Sequence, residues 1–174
     1  FSEENAPGKH PDEPVAPVRA VISTLCSNVC GKKYSLPFLL SLAKRHGAKT
    51  IVDASQFLAH APLDLSAGAP DYLCAPGHKG LFGMMGCGFC LAKTDDSLDT
   101  LIEGGSGSYS QSPEMPENLP ERMEAGTIPV PAILSLGAGI DFLSAYGTEN
   151  IRKALDRTAD AFRERLLSLP GVRL

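Results

Sequence analysis

The chain reads as an α/β protein built on a mostly parallel sheet with flanking helices. Two observations predict this. Short β-branched or apolar runs of strand length alternate with segments whose apolar residues recur at helical spacing. Polar clusters also follow directly on three of those runs, as they do where parallel strands end at a shared cleft.

The first strand is expected at Val18 to Leu25, VRAVISTL, a run that reads as buried. CSNVCGKKYS follows as a polar turn. A helix is expected from Leu36 to Gly47, with Leu36, Leu39, Leu40 and Ala43 on one face. Lys44, Arg45 and His46 complement the dipole at its end, and Gly47 suits the stop. Ala48 to Ser55 is the second strand. After a mixed segment with a possible helical turn, Asp71 to Pro76 is the third. Gly77 to Gly86 is too rich in glycine for anything but loop, and Cys87 to Lys93 is the fourth strand.

Further on, SLDTLIEGG suggests a short helix ending in glycines. Ser106 to Pro131 holds five prolines and reads as a long loop. A helix is expected to begin near Pro131. Another runs from Asn150 to Leu169, with Ile151, Leu155, Ala159, Phe162, Leu166 and Leu169 forming its core face. The closing LPGVRL reads as a turn and the first residues of a strand.

Composition narrows the function. At 174 residues the chain suits one domain, or one domain with a piece of a second. Apolar residues make up 43% and charged residues 21%, which disfavours disorder throughout. Net charge is −4, so nucleic acid is a poor default partner. No run of 18 apolar residues exists, and no membrane span is expected. The opening FSEENAPGKHPDEPVAP lacks the basic start and apolar stretch of a signal peptide. Five cysteines in a chain of this length read as reduced thiols in a cytoplasmic protein. Cys26 and Cys30 form a CxxxC, and Cys87 and Cys90 a CxxC. The second pair lies in a strand-like run, where residues three apart face opposite ways. Free thiols are therefore expected and no metal site.

The polar clusters carry the chemistry. They are Ser27-Asn28, Asp53 to Gln56, and His78-Lys79. Lys79 sits in a Gly-flanked turn, from which a lysine can reach inward as a Schiff-base nucleophile. Asp53 ends a buried strand and needs a partner there: a pyridinium nitrogen, an arginine, or backbone amides. A Schiff-base lysine together with a carboxylate for a ring nitrogen is what pyridoxal phosphate requires.

The run SNVCG … IVDASQFLAHAPLDL … DYLCAPGHKGLFG … GGSGSYS … RMEAGTIPVPAI resembles class V aminotransferases. Within them it is most similar to the cysteine desulfurase and selenocysteine lyase group. The likeness runs from about Val18 to Tyr146, with the motifs in the family's order. It implies the fold of a type I pyridoxal phosphate enzyme, of which residues 18–146 form the second half of the large domain. Residues 1–17 are then a polar lead-in, and residues 147–174 a helix and first strand of a truncated small domain.

The resemblance also implies roles. Lys79 would hold pyridoxal 5'-phosphate as a Schiff base and later move the substrate's α-proton. Asp53 would pair with the pyridinium nitrogen, and Gln56 with the ring hydroxyl oxygen. His78 would contact the phosphate. Asn28 would sit near the cofactor oxygen and the substrate carboxylate. Thr127 would reach the phosphate of a partner subunit's cofactor, giving a homodimer with shared active sites. Gly104 and Gly105 would shape the loop nearby. The substrate would be an amino acid, L-cysteine or one like it.

Three positions depart from the family's usual pattern. Pro76 stands where a phosphate-binding hydroxyl is common, Cys30 replaces a common Thr, and Met84-Met85 replace a frequent Gly-Pro. The ring-stacking residue, the persulfide-carrying cysteine and the carboxylate-binding arginine are expected outside this stretch. The chain is thus expected to be a fragment with little activity alone. Two other readings stay open: a different class V aminotransferase or lyase, and a folded domain fragment with no catalysis of its own.

Overall fold

The computed structural model describes residues 17–93, 98–107 and 111–173. Most of the polar lead-in, the first residue of the expected SLDTLIEGG helix, and Ser108 at the end of the glycine-serine run lie outside them.

Four strands form one sheet: β1 (Ala20–Thr24), β2 (Lys49–Asp53), β3 (Tyr72–Pro76) and β4 (Gly88–Ala92), side by side in that order. β1 and β2 run parallel, as do β2 and β3, while β4 returns antiparallel. A helix, α1 (Leu36–His46), makes the first crossover. The Ser35 side chain caps it by accepting the Phe38 N–H, and Gly47 ends it in the left-handed region at φ 59°. Leu36, Leu39 and Ala43 form its buried face, and the first two meet Leu25, Val52, Ala54, Leu73 and Ala75 in the core. Alternation along the strands turns Thr50 and Val52 to this core and leaves Asp53, Cys74 and Cys90 on the opposite face.

The first strand corrects the expectation of full burial. Among the described residues its one strand neighbour is β2, and Ile22 is 72% exposed. The helix expected in SLDTLIEGG is absent from residues 98–107, which form bends and loop. Leu101 and Ile102 there are exposed, so no packing compensates the cost of starting so short a helix. A 3-10 turn (Glu121–Met123) interrupts the proline-rich loop.

Two helices close the chain, α2 (Val130–Tyr146) and α3 (Thr148–Leu167). No residue of α3 is buried; Ile151 and Leu166 are half-buried while Leu155, Phe162 and Leu169 are exposed, so the stripe expected to be a core face is largely uncovered. After it, Pro170 and Gly171 turn, and residues 172–173 join no strand.

The segment after β3 and helix α2 are locked together by the absence of a side chain. A Cβ on Gly139 would collide with the Leu81 carbonyl oxygen. Around that approach Met84 N–H donates to Ser135 Oγ at 2.7 Å, and Cys87 Sγ donates to Ala132 O at 3.2 Å. Phe82 meets Phe142 edge-on at 5.6 Å between ring centroids.

At the far end of the sheet Thr50 and Asp71 bind each other three ways. Asp71 Oδ2 accepts from Thr50 N–H and from Thr50 Oγ1, both at 2.8 Å, and Asp71 N–H donates to Thr50 Oγ1 at 2.7 Å. Burial pushes the Asp71 carboxyl upward, but the Thr50 bonds, with Lys49 and Lys93, outweigh it and hold it below the usual carboxylate value.

Two outcomes follow from these contacts. Gly139→Ala is expected to lower stability by about 3 kcal/mol through overpacking. Gly137→Ala, two residues away in the same helix with open space around it, is expected to raise stability by up to about 1 kcal/mol. Urea unfolding of the pair measures both. Because the folded-state value of Asp71 is depressed, its contribution is complete above the ordinary value of about 3.9 and is lost as pH falls below it. The gap in urea midpoint between the wild type and Asp71→Asn should be widest near neutrality and should close on acidification. A gap that stays constant with pH would reject the assignment.

Candidate functional site

Because β1, β2 and β3 run parallel and adjacent, their carboxyl ends lie at one edge of the sheet. Strand neighbours are about 4.8 Å apart, so whatever follows them is gathered into one small region. The segments that follow are Cys26 to Tyr34, Ala54 to Ala61 and Gly77 to Cys87. All three polar clusters expected at strand ends are in them.

The first segment is a tight loop. Ser27 N–H donates to Lys32 O at 2.9 Å, Gly31 N–H donates to Ser27 O at 3.0 Å, and Cys26 bridges to Lys33. Ser27 Oγ accepts from Val29 N–H and Cys30 N–H at 3.2 and 3.3 Å. Asn28 is presented at its tip, exposed. Cys30 is exposed beside it. The Ser27 hydroxyl, the Lys32 backbone and the Lys32 charge hold its thiol below the ordinary value, favouring the nucleophilic thiolate.

In the second segment the exposed Asp53 accepts the Ser55 N–H at 2.8 Å through Oδ1, an Asx turn that fixes the carboxylate. Gln56 Nε2 donates to Asn28 Oδ1 at 2.6 Å. This bond joins two of the expected site residues across 28 positions of chain. The chain then turns at Ala59, a non-glycine residue at φ 61°.

The third segment carries His78 and Lys79, both exposed. Phe82 N–H donates to Lys79 O at 3.0 Å, and Gly83 N–H donates to Gly77 O at 2.8 Å, folding the turn onto itself. Gly80 passes so close beneath Leu58 that a Cβ would strike the Leu58 carbonyl oxygen. That contact seats the lysine turn directly on the segment that begins with Asp53 and Gln56. Phe82, at φ 59°, leaves it. Two non-glycine residues in the left-handed region, one on each side of this contact, store backbone strain where functional sites commonly hold it.

Thr127 is exposed and lies elsewhere in the chain's hydrogen bonding. Its neighbour Gly126 donates N–H to Gly105 O at 2.8 Å, so its segment is tied to the Gly104-Gly105 loop rather than to the strand ends. The two members of the CxxC also separate: Cys87 bonds α2 before β4 begins, and Cys90 lies opposite Cys74. Among the described residues no three His, Cys, Asp or Glu side chains are grouped to hold a metal ion. Ser27 and Ser55 lie in the polar clusters read from the sequence, which assigned them no role; here the Ser27 hydroxyl shapes its loop and the Ser55 N–H fixes Asp53. The signal for Ser55 was its place two residues after Asp53, the spacing of an Asx turn.

The donor set suits a phosphorylated pyridine aldehyde: an amine, a fixed carboxylate, a paired amide couple and an imidazole at one sheet edge. A lysine for a Schiff base and a carboxylate for the ring nitrogen are the protein groups that pyridoxal phosphate calls for, and the residues present fit it.

The family model described as "Aminotransferase class-V" matches residues 15–174. A probable cysteine desulfurase of Methanothermobacter thermautotrophicus is 31% identical over 170 residues, covering 95% of this chain and 42% of that protein. A cysteine desulfurase of Escherichia coli is 32% identical over 161 residues, covering 90% of this chain and 39% of its own. Among solved structures, the apo cysteine desulfurase of Thermococcus onnurineus matches with a TM-score of 0.68 at 28% identity, over 84% of this chain and 38% of that one. The E. coli cysteine desulfurase CsdA matches with a TM-score of 0.72 at 25% identity, over 88% of this chain and 39% of that one. The chain thus spans about two fifths of the length of these curated relatives. With the match extending over nearly every residue from the first strand to the last helix, the chain belongs to the class V aminotransferase family.

Proposed function

We propose that this chain is the lysine-bearing part of a pyridoxal phosphate-dependent enzyme that acts on an amino acid, with L-cysteine the leading substrate. The observation that carries the reading is the gathering of Asn28, Asp53, Gln56, His78 and Lys79 behind three adjacent parallel strands. The names of the relatives favour a desulfurase, in which sulfur leaves cysteine and alanine remains.

When bound, the cofactor supplies an electron sink for the substrate's α-carbon. The chain's residues supply the rest. The Lys79 amine anchors the aldehyde and then takes and returns the α-proton at Nζ. Asp53 keeps a proton on the ring nitrogen, its carboxylate already aimed by the Ser55 N–H. Gln56 and Asn28 orient each other through their shared bond and offer their remaining polar atoms to the ring hydroxyl and the substrate carboxylate. His78 serves the phosphate. Thr127 belongs to the same proposal as a phosphate contact to a second copy's cofactor in a homodimer.

The exposed edge strand β1 and the uncovered α3 favour a second reading for the isolated chain: a folded piece that binds cofactor without turnover.

The test begins with pyridoxal phosphate added to the chain, borohydride reduction, digestion and mass spectrometry. A pyridoxyl label confined to Lys79, and lost in Lys79→Ala, is the expected result. Labels scattered over surface lysines would reject Lys79 as the anchor. Asp53→Ala is expected to weaken retention of pyridoxal phosphate about ten- to hundredfold, the worth of one hydrogen bond to a charged group, about 1.5–3 kcal/mol. Equal retention would remove Asp53 from the site.

A further inference from the structure

Two thiols face each other across the β3–β4 hairpin, and the proposed chemistry uses neither. Cys74 is the register partner of Cys90. Alternation shows which kind of pair they form. Lys93 N–H donates to Asp71 O, and Gly77 N–H donates to Cys87 O, both at 2.9 Å. Hydrogen-bonded pairs therefore fall at Asp71 and Gly77, and by the two-residue period at Leu73 and Ala75. Cys74–Cys90 is then a non-hydrogen-bonded pair, flanked by Tyr72–Ala92 and Pro76–Gly88. Pro76 has no N–H to give, which fits that class.

In a non-hydrogen-bonded antiparallel pair the Cα atoms are about 4.5 Å apart and the side chains are at their closest. A disulfide needs Cα atoms about 4.4–6.8 Å apart, and a pair of this class falls within that range. Cys90 is among the groups that raise the Cys74 thiol, as expected for side chains on adjacent register positions. The other three cysteines are engaged elsewhere or stand in a loop: Cys87 on α2, Cys26 toward Gly31 O at 3.6 Å, and Cys30 beside Ser27.

We propose that Cys74 and Cys90 are a redox modification site, closing to a reversible disulfide on reaction with a low-molecular-weight disulfide. Cys90 is the exposed member, and its thiolate attacks one sulfur of the small disulfide, forming a mixed disulfide and expelling one thiolate. Cys74 then attacks the Cys90 sulfur, expelling the second thiolate. Two protein thiols are oxidised, one small disulfide is reduced to two thiols, and the two protein protons go to solvent or to those thiols. Burial, the Cys90 side chain and the Asp53 charge push the Cys74 thiol up to about 11, which leaves the first attack to Cys90; adjacency to the mixed disulfide drives the second.

The bond would close a ring containing the whole turn from Gly77 to Cys87, with His78 and Lys79 inside it. It would also lie one strand away from Asp53, the register partner of Cys74 on the other side. Oxidation would thus staple the base of the lysine turn. The site rests on strand register and thiol chemistry, and stands whether or not the chain binds pyridoxal phosphate.

The experiment is oxidation of the reduced chain with oxidised glutathione, acid quenching, alkylation and non-reducing digestion with tandem mass spectrometry. The expected result is a Cys74–Cys90 cross-link as the dominant intramolecular disulfide, reversed by dithiothreitol. In urea the selectivity should vanish and pairs should scramble. Cys74→Ser should accumulate glutathione on Cys90, the trapped first step. Dominance of Cys87–Cys90 or Cys26–Cys30 in the native chain would overturn the proposal. So would glutathione left on Cys90 of the wild-type chain with no cross-link, or the same scrambled pattern with and without urea.

Discussion

The candidate site of this molecule depends on Gly80 having no side chain. The turn that carries Lys79 can lie on the segment after Asp53 only because nothing stands between the Gly80 backbone and the Leu58 carbonyl. Ala59 and Phe82 accept left-handed backbone angles on either side of that approach. A second glycine, Gly139, lets α2 close on the turn from behind at Leu81. The lysine is therefore held between two backbone-to-backbone contacts, each of which any Cβ would break. Position is set by close packing of main chain, which is stiff, and the side chain supplies the reach.

This arrangement explains the mixed sheet. Three parallel strands bring three loops to one edge, which is where α/β sheets place their ligands. A fourth parallel strand would need another crossover helix. β4 instead returns antiparallel, so the segment between β3 and β4 stays at the same edge as the other loops. The Lys79 turn is a hairpin connection, longer than a tight turn because it also meets α2.

Much of this was legible in the residues. The strands, α1 with its basic last turn and Gly47, and the clusters at strand ends follow from periodicity and turn chemistry alone. Asn28 and Gln56 are expected at one cleft from their places after adjacent strands, but the hydrogen bond that joins them directly was not legible. Facts that depend on which strand lies beside which were not legible. Cys87 and Cys90 draw the eye as a CxxC, whereas the thiol opposite Cys90 is 16 positions back on β3, and only register reveals it. VRAVISTL has the composition of an interior strand, and composition does not state whether a neighbour is present to bury it. The apolar stripe of α3 poses the same problem: amphipathic spacing specifies a face, not what covers it.

Thr50 and Asp71 tie β2 to β3 at the edge of the sheet farthest from Lys79. Those bonds act as the zero mark of a ruler. A strand has a two-residue side-chain repeat, so a slip of one place would carry Cys74 to the core face and bring Leu73 or Ala75 beside Asp53. Charge and hydroxyl meet at the zero mark in only one alignment. The spacing between carboxylate and lysine is therefore calibrated by residues that touch neither, and substitutions at Thr50 can misalign the site from its opposite end.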